Sequence, residues 1–189
     1  KIIQKLLNHS RIIYKQLSLE SEGLEIEYKP KVKYPPEHDH EKKSFQKNYC
    51  TQLIEESIRK LKHDEIKHGS SLVGPHRDDL EIKLSGFNIS GYASRGQIRS
   101  IVLALKLAEA KIISELKGSD PIILLDDVMS ELDSKRRELV LELIESYDQV
   151  LITIPDRKLL DNERIDESTL FSIKKGSVNS LKNNGKRNS

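Results

Sequence analysis

The feature that most constrains this chain is a short apolar run ending in two acids, Pro121-Ile122-Ile123-Leu124-Leu125-Asp126-Asp127. Four consecutive apolar residues bounded by a proline and two carboxylates predict a strand buried on both faces, as in a parallel sheet. In open α/β sheets ligands sit beyond the carboxyl ends of the strands, where Asp126 and Asp127 emerge. Adjacent carboxylates repel and need a cation or a proton between them. A hard, oxygen-ligated ion such as Mg²⁺, itself bound to phosphates, suits that position. The pattern points to nucleotide handling.

With 189 residues there is room for one sizeable core, or one core with an appended lobe. The formal net charge of +2 means that any nucleic-acid contact needs a local patch. Apolar stretches are only a few residues long, too short to span a bilayer as a helix. The single cysteine, Cys50, rules out an intrachain disulfide framework and fits a reducing cytoplasm. The sequence opens Lys1-Ile2-Ile3-Gln4, already at the helical spacing of Ile2, Ile3, Leu6, Leu7, Ile13, Tyr14 and Leu17. A start inside a helix is the expectation for the latter part of something longer.

Leu24-Glu25-Ile26-Glu27-Tyr28 alternates as a half-buried strand does, and the proline-containing segment Lys29 to Lys43 reads as a loop. A second helix carries Phe45, Tyr49, Leu53, Ile54, Ile58 and Leu61, and stops near Gly69. Gly74-Pro75-His76-Arg77-Asp78-Asp79 is a turn before the alternating strand Leu80 to Leu84. From Gln97 to Leu116 runs the strongest helix, with Ile101, Leu105, Ala108 and Ile112 on one side. Leu103 and Leu107 widen that face enough for packing on two sides. Strand 121–125, a helix from about Ser134 to Tyr147, strand 150–154 and a last strand near Leu170–Ile173 complete the order. The tail from Lys174 to Ser189 holds five basic residues and no acid, and reads as a mobile, solvated terminus.

Ser94-Arg95-Gly96-Gln97 enters the long helix, with Ser94 as a plausible N-cap and Gly96 permitting close backbone approach. Such a helix start attracts phosphate, although a serine there is most often only a cap. Asp133 before Ser134 has the same bland reading. His38-Asp39-His40 lies in a charged loop without the further ligands of a structural metal site. His76 and Arg77 are read as shaping their turn.

The order of these parts resembles the C-terminal half of an ABC-type ATPase head, and most closely the RecF family of bacterial recombination-repair proteins, kin to SMC and Rad50 heads. The likeness rests on Leu24–Tyr28, Val73–Leu80, Tyr92–Arg99, Leu103–Glu109 and Pro121–Asp133. It implies an α/β fold of the P-loop NTPase class without its phosphate loop, since no Gly-x-x-x-x-Gly-Lys-Ser/Thr motif is present. The implied organisation is a helical lobe over 1–71, the C-terminal part of the ATPase head over 72–173, and a basic tail over 174–189.

By resemblance, Ser94, Gly96 and Gln97 form the signature that contacts the ATP of an opposing protomer. Asp126 holds Mg²⁺. Asp127 stands where a glutamate usually orients the attacking water, one methylene shorter and hence slower. Ser130 to Asp133 form the loop at the dimer seam. Thr153 or Ile154 occupies the switch position. ATP and Mg²⁺ are the implied cofactors, with DNA, a second copy, RecR, RecO and RecA as partners, and this segment alone is expected to be inactive. A nucleotide-independent scaffold is the competing reading. A phosphotransfer receiver domain fits less well, because it leaves the signature unexplained.

Overall fold

The computed structural model describes residues 2–18, 23–32, 43–159 and 168–181, the side chains of 43–48 excepted. The His38-Asp39-His40 and Gly185-Lys186 readings lie outside them. Two compact units, Lys1–Ile112 and Ile113–Ser189, divide within the helix Arg95–Lys117.

The first unit begins with α1 (Ile2–Leu17), whose face of Ser10, Ile13, Tyr14 and Leu17 is buried. Arg11 donates to the carbonyl of Ile26 at 2.8 Å and so ties α1 to β1 (Leu24–Lys29). β1 pairs antiparallel with β2 (Asp79–Leu84) from Leu24↔Leu84 to Lys29↔Asp79. Leu24, Ile26 and Leu84 are buried, while exposed Glu27 and Lys29 and half-buried Glu81 and Lys83 form a lattice of ion pairs. Alternation therefore did mark a half-buried strand. Leu84 is fully buried, and truncation to Ala would cost about 2–5 kcal/mol.

Between the strands lies α2 (Lys43–His68), ended by Gly69 at φ +65°. β3 (Phe87–Asn88) adds a short third strand, and α3 (Ile89–Tyr92) is one turn capped by the Asn88 side chain. The stacked rings of Phe87 and Tyr92 lie 4.8 Å apart. α4 (Arg95–Lys117) buries Ser100, Ile101, Leu103, Ala104, Leu107, Ala108, Ala110 and Ile112, the wide face that its pattern predicts.

In the second unit β4 (Ile123–Asp126) pairs parallel with β5 (Val150–Thr153), in register from Ile123↔Val150 to Asp126↔Thr153. The parallel pairing agrees with the apolar run. Burial on both faces does not: Ile123 and Leu125 are buried, but Leu124 is 70% exposed and Leu151 is 48% exposed. Only one side of this two-stranded sheet is covered among the described residues. α5 (Ser134–Ile144) buries Val140, Leu141 and Ile144 and ends one turn sooner than expected.

The tail reading also needs correcting. β6 (Leu170–Lys174) and β7 (Ser177–Leu181) form an antiparallel hairpin. Its two-residue turn, Lys175 at φ +47° and Gly176 at φ +79°, has the left-handed geometry that twisted hairpins favour.

Candidate functional site

Residues 71–79 show how a turn becomes rigid. The Glu65 carboxylate accepts from the Leu72 amide at 2.7 Å and from Ser71 Oγ at 3.0 Å. These bonds, the Leu72 amide first, hold its pKa below the ordinary value. The Arg77 guanidinium donates to the Ser71 carbonyl at 2.5 Å. Asp78 accepts from the Tyr28 hydroxyl and, at 2.7 Å, from the Lys31 amide, fastening the end of β1. Gly74 sits at φ +132°, and an added Cβ would lie 2.8 Å from the His76 imidazole. Arg77 braces this turn, as its sequence context predicts, while the His76 ring lies over Gly74.

At the start of α4, Ser94 and Gln97 hold one another. Ser94 Oγ accepts from the Gln97 amide at 3.2 Å, and Gln97 Oε1 accepts from the Ser94 amide at 2.6 Å. This reciprocal pair is a capping box, with glutamine in the usual acidic position. It satisfies two of the four amides that a helix start leaves without intrahelical partners, while those of Arg95 and Gly96 lie in the same first turn. Both capping groups are neutral, so the positive helix end remains uncompensated by a carboxylate. Ser94 and Arg95 are exposed.

At the carboxyl end of β4, Asp126 and Asp127 are both exposed. The Thr153 hydroxyl donates to Asp126 Oδ1 at 2.5 Å and accepts from the Asp127 amide at 2.9 Å. Asp127 is left-handed, φ +53° and ψ +17°, which turns the chain out of the strand; aspartate tolerates that conformation better than most residues. A 3-10 turn, Val128–Glu131, follows, with Ser130 Oγ donating to the Asp127 carbonyl at 2.9 Å. Among the described residues no group of three or more potential ligands could hold a metal by itself. Two carboxylates, one with an oxygen already engaged, do suit an ion that brings phosphates and waters with it. Asp126 would hold Mg²⁺ in that way, with Asp127 beside it.

Asp133 caps α5. Its oxygens accept from the Arg136 amide at 2.9 Å and the Arg136 guanidinium at 2.8 Å. The amide bond, ahead of the guanidinium charge, lowers its pKa. Sequence reasoning missed Arg137, which donates to the Leu132 carbonyl at 2.6 Å and reaches the Met129 carbonyl at 3.5 Å. An arginine in the first turn of a helix carries no signal of a fold-back onto the preceding loop.

No protein-family model matches the sequence. Curated relatives do. The DNA replication and repair protein RecF of Acetivibrio thermocellus is 41% identical over 176 residues, 93% of this chain and 46% of that protein. RecF of Lactobacillus acidophilus is 38% identical over 184 residues, 97% of this chain and 48% of that protein. A solved structure of the recombination mediator RecF with ATP, in the RecFOR pathway, superposes with a TM-score of 0.65 at 29% identity. It matches 95% of this chain and 44% of its own. The chain is similar to these RecF proteins over about half of their length, the part that it spans. A structure from work on ATP-driven dimerisation of SMC ATPases, TM-score 0.50 at 15% identity, shares the fold alone. RecF and SMC heads thus set the fold class, the α/β fold of the C-terminal part of an ABC-type ATPase head.

Proposed function

We propose that this chain supplies the signature helix and the Mg²⁺-binding acids of a RecF-type ATPase that acts in DNA repair and recombination at replication forks. The observation that carries the reading is the neutral, exposed capping box at Ser94, an anion-receptive helix start in the segment that resembles the ABC signature. A γ-phosphate held by one protomer would meet the Arg95 and Gly96 amides of the other, so that ATP joins two copies. Asp126 would keep one oxygen for the Mg²⁺ shell while Thr153 holds the other. Asp127 would orient the attacking water, and Asp133 would lie at the seam.

The complete dimer would bind duplex DNA beside single-strand gaps with weak, DNA-stimulated turnover. It would act in the cytoplasm during the SOS response, working with RecR and RecO to help load RecA. The segment alone would be inactive, because it contains no phosphate loop.

Sedimentation of the complete protein with and without Mg-ATP, beside its Ser94→Arg variant, tests this reading. The expected outcome is ATP-dependent dimers that the substitution abolishes. Monomers under both conditions would favour a nucleotide-independent scaffold. Normal ATP turnover by an Asp127→Asn protein would remove that residue from the chemistry.

A further inference from the structure

The exposed side of α2 remains unexplained by the nucleotide site. Leu53, Ile54, Ser57, Leu61 and Glu65 are half-buried along one side of the helix. Glu65 fixes that side through its bonds to Leu72 and Ser71. Arg59, Lys60, Lys62, His63 and Lys67 are exposed; at 100° per residue Arg59, His63 and Lys67 fall on the opposite side, with Lys60 and Lys62 at its two edges. Arg59, His63 and Lys67 follow one another at i, i+4 and i+8, an inclined ridge that rises about 12 Å along the axis at 1.5 Å per residue.

Among the described residues none of these side chains makes an ion pair or hydrogen bond. Glu55 and Glu56 stand one turn upstream and Asp64 beside the row, and they too are unpaired there. The ordinary explanation of basic residues in a helix is the negative C-terminal dipole. That effect is confined to the last turn, so it covers Lys67 and leaves Arg59, Lys60 and Lys62 unaccounted for. The like charges of Arg59 and Lys62, one turn apart, repel, and an external polyanion would relieve them.

We infer that the Arg59–Lys67 face of α2 is a track for the phosphate backbone of duplex DNA. Duplex DNA offers one negative charge per about 1.7 Å of axis, so a row of this length meets several phosphates at once. Contacts of this kind position a protein on DNA without reading its sequence. The inference rests on the DNA-binding part of the proposed function and does not depend on its ATP-dependent dimer.

The test is fluorescence anisotropy of a labelled duplex with the full-length protein, titrated over a range of salt. One variant combines R59Q, K60Q, K62Q and K67Q. A control of equal charge combines K15Q, K106Q, K111Q and K135Q. The row variant should bind at least about tenfold more weakly near physiological salt, with its log–log salt slope reduced by about 3–4, while the control stays within about twofold. Circular dichroism should show both variants folded.

Equal weakening by both variants would replace the track with diffuse charge and overturn the inference. Wild-type affinity in the row variant would place the DNA contact elsewhere, with the DNA reading intact. No duplex binding by the wild type would overturn the track and the DNA reading together, leaving the sedimentation result to stand alone. Labelled polyglutamate bound as tightly as DNA would make the row a docking site for an acidic protein instead.

Discussion

The two longer helices that begin on a polar side chain, α4 at Ser94 and α5 at Asp133, differ in the charge of their starts. At Ser94 a hydroxyl and a carboxamide satisfy each other's backbone amides, and no acid neutralises the helix end. At Asp133 a carboxylate sits on the amide of Arg136 and is itself neutralised by that residue's guanidinium. Each is a cap. Only the first leaves a net positive site for an incoming phosphate, because an aspartate placed at a helix start already supplies the anion. Capping and anion binding are therefore separable, and the charge of the cap decides between them.

The sharpest way to break this contrast is to exchange the caps. A Ser94→Asp variant of the complete protein keeps a competent cap, so its Tm should stay within a few degrees of wild type. ATP-dependent association should nevertheless fall by at least about tenfold, since a carboxylate repels the phosphate. Undiminished dimers by sedimentation would show that this helix end meets no phosphate. Replacing Asp133 with Ala should cost about 1 kcal/mol in urea unfolding, whereas Asp133→Ser should retain most of that stability.

Acid adds a third contrast. The Asp133 pKa is lowered by folding, so its stabilisation is complete above the unfolded value near 3.8 and disappears as pH falls through the lower folded value. The unfolding midpoint of wild type should accordingly drop more than that of Asp133→Ser between pH 5 and pH 3. The Ser94 hydroxyl does not titrate in that range, and Ser94→Ala should cost the same at both pH values. The smallest effect belongs to Gln97→Ala, which removes one arm of the box; a loss of about 0.5–1 kcal/mol is expected by chemical denaturation.

Much of this was legible in the sequence, because hydrophobic period and punctuation are local. The wide face of α4, the alternation of β1 and the serine cap all follow from residues within a few positions of one another. The Ser94-x-x-Gln97 box was also written there, in a spacing that announces itself once glutamine is allowed its acidic counterpart's role. The β6–β7 hairpin was missed because a lysine-rich composition masked Lys175-Gly176, a turn signal two residues long.

What sequence could not supply was long-range. Thr153 lies 26 residues beyond Asp127, and only the parallel register of β4 and β5 brings its hydroxyl to both acids. Leu124 shows the opposite error. An unbroken apolar run specifies that both faces avoid water, but the neighbours that cover them are a property of the assembly, and here one face is open.

The Thr153 hydroxyl has a mechanical consequence. One oxygen grips the side chain of Asp126 and the main chain of Asp127, at the point where the ladder of β4 and β5 runs out. One carboxylate and the backbone of the next residue thus turn on a single pin. A shift of the β5 end would therefore move the Asp126 carboxylate and the backbone from which the Asp127 side chain springs together, while the Asp127 carboxylate keeps its own rotation.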